Sequence, residues 1–220
     1  MNHPSSVLSA VLVLVAPAFG QEQPAVPAPF APQSEAADEP AWSFRASVYT
    51  YFVPDDHDVV SPTFAADRGW QHFELRYNYE SLDTFSAWLG GNFSVGEELR
   101  LEMTPMVGVV FGSDTNGIAP GYKATLGWRQ FEFYSEGEYV FDADDHSESF
   151  FYNWSELTFA PAETFRFGLV TQRTRLYENE HDIQRGLLVG IAGEKWDVTG
   201  YLFDPDDAKP TFVLALGVSF

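Results

Sequence analysis

The stretch Thr211-Phe-Val-Leu-Ala-Leu-Gly-Val-Ser-Phe220 decides the fold class, because its apolar side chains recur at every second residue. In an extended strand, one face carries the large apolar side chains, which are Phe212, Leu214, Leu216, Val218 and Phe220. The opposite face carries Val213, Ala215, Gly217 and Ser219. A repeat of two residues is typical of β-strands, whose successive side chains point to opposite sides. The unequal faces indicate a sheet whose two sides meet different surroundings.

The same alternation runs through residues 41–220, and it predicts twelve strands separated by turn residues. We place them at 43–52, 58–66, 70–80, 85–94, 98–111, 119–128, 130–141, 149–160, 164–175, 184–193, 196–204 and 210–220. The second strand contains Asp58 and Pro62, which weaken its pattern. Pro105 lies in the middle of the fifth strand, where its missing N–H predicts a β-bulge.

The connections between the strands alternate between two classes. Tight turns fall at 67–69, 96–97, 128–129, 162–163 and 194–195. Longer, strongly acidic loops fall at 54–57, 81–84, 113–117, 142–146, 177–181 and 204–207. Short turns on one side and longer loops on the other are typical of transmembrane β-barrels. The fold class predicted is therefore an all-β, antiparallel, up-and-down transmembrane barrel of twelve strands.

Charged residues fall on one face of these strands, which the barrel turns inward. Strand parity predicts a lumen lining made of Arg45, Glu74, Arg76, Arg100, Glu102, Lys123, Arg129, Glu132, Glu136, Glu138 and Arg166, and it adds Glu80, Glu156 and Asp197. Counting along the hairpins brings Lys123 close to Glu136, and Arg129 close to Glu102. The lining could be a charged pore or an ion-pair lattice that fills the lumen.

Small inward residues favour the open pore over the filled lumen. They lie on the last three strands and are Gly186, Gly190, Ala192, Thr199, Ala215, Gly217 and Ser219. Such a wall leaves room beside it, so the sequence predicts a narrow passage.

Aromatic residues collect near the strand ends, where a membrane protein places two girdles at the lipid headgroups. The girdle residues predicted are Trp42, Trp70, Trp128, Phe131, Phe159, Phe165 and Trp196 beside the short turns and Phe212 beside the long loops. The loop side further includes Phe52, Tyr79, Phe85, Phe111, Tyr122, Phe141, Phe151, Tyr177 and Phe203.

The N-terminal region differs in composition from the strands. Residues 7–18 are an apolar run followed by small residues, which predicts a signal peptide over 1–20 with cleavage near Gly20. Residues 21–40 are rich in Pro, Ala and acids, which favours an extended periplasmic linker. The barrel then occupies residues 41–220.

Composition excludes several kinds of function. The formal charge of −20 argues against nucleic-acid binding, which needs a basic surface. With no cysteine, the chain has no disulfide and no thiolate metal site. The acidic loops could bind divalent cations among lipopolysaccharides, but their spacing matches no known calcium loop. We therefore predict no metal and no cofactor.

A final strand of alternating apolar residues that ends on Phe220 looks like the assembly signal of Gram-negative outer-membrane β-barrel proteins. The resemblance covers residues 41–220 in pattern, and the motif itself lies in the last strand. It implies export, insertion by the barrel-assembly machinery, and contact with outer-membrane lipids and lipopolysaccharide. The strand count is similar to that of small twelve-stranded solute channels.

The function predicted is a narrow, passive channel for small solutes or ions, with a lumen of mixed charge. A closed structural or adhesive barrel that displays acidic loops is the alternative. An outer-membrane lipid hydrolase is a third, and it would need a loop histidine or His72, the histidine that falls in a predicted strand. A catalytic site that acts on lipid should face outward, whereas parity turns His72 inward. We therefore predict that the protein is not an enzyme.

Overall fold

The computed structural model of the chain describes residues 40–113, 115–144, 146–173 and 183–220. The predicted signal peptide, nearly all of the predicted linker and the loop between the ninth and tenth predicted strands lie outside these described residues. One short 3₁₀ turn, His146–Glu148, accompanies the strands. Within the described ranges, no helix is long and apolar enough to cross a membrane.

The described ranges contain thirteen strand segments, in close agreement with the alternation in the sequence. They are β1 (Ser43–Phe52), β2 (Val59–Arg68), β3 (Gln71–Tyr77), β4 (Thr84–Gly91), β5 (Phe93–Val95), β6 (Leu99–Gly112), β7 (Asn116–Trp128), β8 (Phe131–Asp142), β9 (Phe150–Ala162), β10 (Phe165–Arg173), β11 (Gln184–Ala192), β12 (Trp196–Phe203) and β13 (Thr211–Ser219).

The strands close into a barrel because the first and the last are paired. β1 runs antiparallel to β13 with a register from Arg45–Ser219 to Phe52–Phe212. The segments β4 and β5 both pair with β6 and together form one strand of the wall. The barrel therefore has twelve strands, which confirms the predicted fold class. The second predicted strand is also confirmed, because β2 pairs with β1 on both sides of Pro62.

Pro105 interrupts the ladder without the predicted bulge. Gly90 pairs with Met106 and Phe93 pairs with Met103, so both strands contribute the same number of residues across the gap. On its other side, Pro105 stays in register opposite Tyr122. The prediction of a bulge was wrong because proline removes one N–H from the ladder but does not require an extra residue. The effect is limited to the break between β4 and β5.

The two faces of the wall differ as the alternation predicts. Large apolar side chains such as Leu75, Leu89 and Leu169 point outward and are exposed, whereas Val170 and Leu188 point inward and are buried. The faces of β9, which carries aromatics at both parities, are also resolved, because Tyr152 and Trp154 face the lumen and Phe151 faces outward. An apolar belt that encircles a molecule is unusual for a soluble protein and marks an interaction surface.

Aromatic rings cluster at both ends of the outer face. At the short-turn end, Phe44 stacks on Phe220 at 5.7 Å between ring centroids, and Phe131 contacts Phe159 at 5.0 Å. The predicted girdle residues lie on the outer surface, exposed or half-buried, and are Trp42, Trp70, Trp128, Phe131, Phe159, Phe165, Trp196 and Phe212. Two loop-side predictions were wrong, because Tyr79 and Phe203 are buried inside the barrel. Tyr177 lies outside the described residues.

Candidate functional site: the lumen

The lumen has two levels that differ in exposure. We call the level beside the short turns the vestibule, and it is lined by Arg45, Arg100, Glu102, Glu132, Arg166 and Asp197. We call the level above it the bridging layer, and it comprises Glu74, Arg76, Tyr79, Glu80, Lys123, Glu136 and Glu138. Most vestibule charges are partly exposed, whereas Arg76, Glu80 and Glu138 are 2%, 0% and 3% exposed. The vestibule is thus the more exposed level of the lumen, and the bridging layer is the more buried one.

Two arginines occupy the wall that the sequence predicts to be open. The guanidinium of Arg45 donates to Asp197 at 2.5 Å, and a side chain at Gly217 would collide with both groups. Arg166 donates to Glu156 at 3.1 Å and to Thr199 at 3.0 Å, and it passes over Gly190. The predicted free space is therefore wrong for these positions. The small residues make room for long charged side chains from neighbouring strands.

Arg129 lies outside the lumen, which corrects its predicted place in the lining. β7 ends at Trp128, and Arg129 adopts a left-handed turn conformation with φ of 57°. Its guanidinium lies 4.9 Å from the ring of Trp128 and 3.7 Å from the carboxylate of exposed Glu98. Strand parity fails at this residue because the turn begins there. The predicted contact between Arg129 and Glu102 does not form, and Glu102 is paired with Arg100 instead.

Arg76 is the centre of the bridging layer and joins opposite walls of the barrel. Its Nε donates to Glu74 Oε1 at 2.5 Å, and its Nη1 donates to Glu138 Oε2 at 2.7 Å. β3 and β8, which carry these residues, are separated by the strands from β4 to β7, so the second bond crosses the lumen. The guanidinium also lies between the rings of Tyr79 and Trp88, at 4.2 and 4.6 Å from their centroids. Such cation–π contacts strengthen where water is excluded.

A second set of contacts joins β3 and the loop that follows it to the β7–β8 hairpin. Lys123 forms an ion pair with Glu74 and lies 3.9 Å from Glu136, which confirms the predicted proximity of Lys123 and Glu136. The hydroxyl of Tyr79 donates to Glu136, and that of Tyr134 donates to the same carboxylate at 2.6 Å. These contacts and those of Arg76 hold the two walls together at one level.

Tyr79 and Glu80 enter the lumen from a loop. β3 ends at Tyr77, and Asn78 has a φ of 48°, which changes the direction of the chain after the strand. Glu80 was predicted to face inward and does so, accepting hydrogen bonds from Ser86 Oγ at 2.5 Å and Trp88 Nε1 at 3.2 Å. Tyr79 was predicted to face lipid. The sequence gives no signal for the inward position of Tyr79, because β3 ends two residues earlier and the alternation of faces does not continue into the loop.

Aromatic side chains fill much of the lumen beside the bridging layer. The ring of Trp154 lies 5.8 Å from Tyr49, 5.0 Å from Tyr201 and 5.5 Å from Phe203. Tyr79 contacts Tyr152 at 5.2 Å and so links this cluster to the bridging layer. In this conformation, water that enters the vestibule meets a packed wall of aromatic and ion-paired side chains.

His72 lies below the bridging layer between two carboxylates. Its Nδ1 is 2.8 Å from Asp67 and its Nε2 is 3.1 Å from Glu74. Ionised carboxylates only accept hydrogen bonds, so a doubly protonated imidazolium satisfies both contacts. Both ring nitrogens are thereby engaged, which leaves neither to activate a hydroxyl nucleophile. The arrangement is that of a buried ion-pair network.

Where the structure describes them, the long loops form an acidic rim at the other end of the barrel. Lys209 pairs with Asp55, and Arg185 donates to Asp206 at 3.0 Å. The backbone N–H of His57 donates to Asp56 at 2.7 Å, and this bond lowers the pKa of the Asp56 carboxyl. Within the described part of the chain, no group of three or more His, Asp or Glu is placed to hold a metal ion.

Gly108 is expected to be needed for the position of Trp88. A Cβ at Gly108 would overlap the indole ring, which is fixed on its other side by Arg76. We expect Gly108→Ala to lower the free energy of unfolding by about 1–3 kcal/mol, as for other overpacked positions. Gly127→Ala is the matched control, because a Cβ there meets no atom within 4 Å. Urea titration of both refolded variants measures the difference, and equal midpoints would contradict the packing described.

Solved structures with the same architecture include the KdgM porin. One superposes with a TM-score of 0.55 at 7% identity, covering 80% of this chain and 99% of that chain. A second, the KdgM porin in complex with disordered oligogalacturonate, has a TM-score of 0.51 at 7% identity and covers 81% and 99%. The Acinetobacter baumannii outer membrane protein Omp33 has a TM-score of 0.45 at 10% identity and covers 83% and 99%.

The sequence comparisons are negative. No protein-family model matches the chain, and no curated sequence is significantly similar to it. The superpositions on KdgM therefore show the fold alone. The chain shares with that porin the architecture of a closed, twelve-stranded antiparallel β-barrel.

Proposed function

We propose that the chain spans the outer membrane of a Gram-negative bacterium and forms a narrow, passive channel for small solutes or ions. The apolar outer face and its two aromatic clusters support the membrane location, because lipid selects both features. The fold shared with a porin supports a channel. The same proposal gives Phe220 the role of assembly signal, and its backbone closes the barrel by exchanging hydrogen bonds with Phe44 at 2.9 and 3.0 Å.

The observation that carries this proposal is the charge buried across the lumen. Arg76, Glu74 and Glu138 are almost fully buried, yet apolar side chains of similar volume would fill a sealed barrel without the cost of desolvating ions. Ionisable residues at membrane depth usually mark a path for ions or solutes. A row of charges at the narrowest level is therefore better explained by passage than by filling.

The passage is constricted in the conformation described. Arg76–Glu138 and Tyr79–Glu136 both span the lumen, so a solute can pass only when these contacts part. Tyr79 lies on a loop, which can move without breaking the strand ladder. We therefore propose a low conductance, limited by the loop that carries Tyr79.

Single-channel recording in planar bilayers tests the proposal with a pair of tyrosine variants. Tyr79→Ala removes the ring and the hydroxyl from the centre of the bridging layer, and we expect the conductance to rise about twofold or more as the constriction widens. Tyr77→Ala is the matched control, because Tyr77 lies outside the lumen against Phe85, at 4.5 Å. It should conduct like the wild type.

Silence from both the wild type and Tyr79→Ala, in protein shown to be inserted, would overturn the channel. It would support the second candidate, a closed structural or adhesive barrel that displays acidic loops. The aromatic cluster around Trp154 favours that candidate, because it fills the lumen with well-packed apolar area.

A further inference from the structure

We infer that Glu80 and Glu138 form a binding site for a small monovalent cation inside the lumen, and that this site makes the channel cation-selective. The inference rests on the proposed channel and names the site that chooses among its ions. Both carboxylates contact the same guanidinium nitrogen, Arg76 Nη1, at 3.5 Å for Glu80 and 2.7 Å for Glu138. Their side chains are nearly inaccessible to water.

The buried network contains more negative charge than positive charge. Its carboxylates are Asp67, Glu74, Glu80, Glu136 and Glu138, and its cationic groups are His72, Arg76 and Lys123. Counting His72 as protonated, five negative charges face three positive ones, so two negative charges remain without a counter-charge. Unbalanced charge in a region of low dielectric is costly, and it attracts a mobile cation or a proton.

The hydrogen bonds and ion pairs of Glu74 and Glu136 indicate where the excess negative charge lies, because these two carboxylates are well partnered. Glu74 contacts His72, Arg76 and Lys123. Glu136 receives the hydroxyls of Tyr79 and Tyr134. In each of these two carboxylates, both oxygens therefore have at least one donor.

Glu80 and Glu138 are satisfied on one oxygen each. Glu80 Oε2 and Glu138 Oε1 are buried, and neither accepts a hydrogen bond from any residue that the structure describes. Arg76 Nη2, on the guanidinium between them, is likewise buried without an acceptor among the described residues. A partly hydrated cation supplies what each of these three groups lacks, because carboxylate oxygens bind the ion and a water bound to it accepts from Nη2.

The chemistry of the site favours a weakly held monovalent ion. Divalent cations need several carboxylate or carbonyl ligands, and no group of three acidic or histidine side chains among the described residues converges on one point. The positive charge of Arg76 further weakens the binding of a divalent ion. A permeant ion must also leave its site, which two carboxylates beside an arginine permit.

Charge at this depth should control selectivity more strongly than charge at the rim. Water and salt screen the exposed acids of the long loops, such as Asp206 and Asp207, whereas the buried pair acts through a medium of low dielectric. Two isosteric double variants test this comparison, because each removes two negative charges. They are Glu80→Gln with Glu138→Gln in the lumen, and Asp206→Asn with Asp207→Asn at the rim.

The reversal potential in a KCl gradient gives the ratio of potassium to chloride permeability. We expect the wild type and the rim variant to favour potassium to a similar degree. In the lumen variant, the ratio of potassium to chloride permeability should fall about tenfold, which corresponds to about 1.4 kcal/mol. An unchanged ratio in the lumen variant, or an equal loss in the rim variant, would overturn the assignment of the site to Glu80 and Glu138.

Thermal unfolding separates this inference from the proposed channel and from a bound proton. Refolded protein is heated in KCl and in tetramethylammonium chloride of equal ionic strength. A bound potassium ion should raise the midpoint of the wild type in KCl and leave that of the lumen variant unchanged. Equal midpoints in both salts would show that a proton holds the pair and would overturn the cation site. A potassium-dependent midpoint in a protein that does not conduct would keep the site and reject the channel.

Discussion

Replacing Arg76 with methionine is expected to lower the free energy of unfolding by about 3–5 kcal/mol, the usual cost of removing one partner from a buried ion pair. Methionine matches much of the side-chain volume, so the effect comes from charge and not from a cavity. The change leaves the carboxylates of Glu74, Glu80 and Glu138 without the guanidinium that they share. It also removes the cation between the rings of Tyr79 and Trp88. Urea titration of the refolded barrel in lipid vesicles measures the loss.

Arg129→Met is the control for the removal of one arginine. Arg129 is exposed, and its ion pair with Glu98 is 3.7 Å long, so its loss should change stability by about 0–1 kcal/mol. Adding Glu138→Gln to Arg76→Met should recover part of the loss, because one of the stranded charges disappears. If Arg76→Met unfolds at the same urea concentration as Arg129→Met, the bridging layer does not hold the walls together.

Alternation in the sequence predicts the wall of the barrel because each strand residue has two possible surroundings, lipid and lumen. The pattern therefore identifies the strands and their inner faces, including β2, where Pro62 weakens the propensity. Hairpin counting also locates Lys123 opposite Glu136, since neighbouring strands share a register. Both successes depend on local geometry that is the same in every antiparallel sheet.

Contacts across the lumen could not be predicted in the same way. Arg76 and Glu138 lie on strands that do not pair, and their distance depends on how the closed wall is shaped. Parity gives the direction of a strand residue only as far as the strand extends, so the predicted positions of Arg129 and Tyr79, which lie in turns, are wrong. Asn78 and Arg129 both have positive φ, and either residue type can also occupy a strand.

The free space beside a small lumen residue cannot be predicted from that residue alone, because side chains from neighbouring strands can fill it. Gly190 and Gly217 are small, but the side chains of Arg166 and Arg45 extend over them. Long side chains reach from one strand across the next, so the space beside a glycine belongs to several residues. A small residue on the inner face can therefore make room for an arginine just as it can widen a pore.

Replacing Leu169 with arginine should distinguish a membrane barrel from a water-soluble one. Leu169 lies in the middle of β10, is 55% exposed and is flanked on neighbouring strands by Leu157 and Leu187, which also face outward. In a bilayer, a lipid-facing arginine at mid-depth costs about 2–4 kcal/mol, because its charge leaves water when the barrel inserts. In water, the same exposed position would tolerate arginine with little change. Folding into vesicles of defined thickness, followed by urea titration, measures the cost.

The control for this prediction is an outward-facing residue that lies at a different depth in the membrane. Ile183 is 70% exposed and lies just before β11, at the long-loop end of the barrel, so Ile183→Arg should cost about 0–1 kcal/mol near the headgroups. Thinner bilayers should reduce the penalty at Leu169, because water and headgroups come closer to the middle of the strand, and should leave Ile183→Arg unchanged. A penalty at Leu169 that equals the one at Ile183 and ignores bilayer thickness would mean that the apolar belt does not face lipid. The belt would then have to be covered by protein, and both the channel and the cation site would lose their membrane setting.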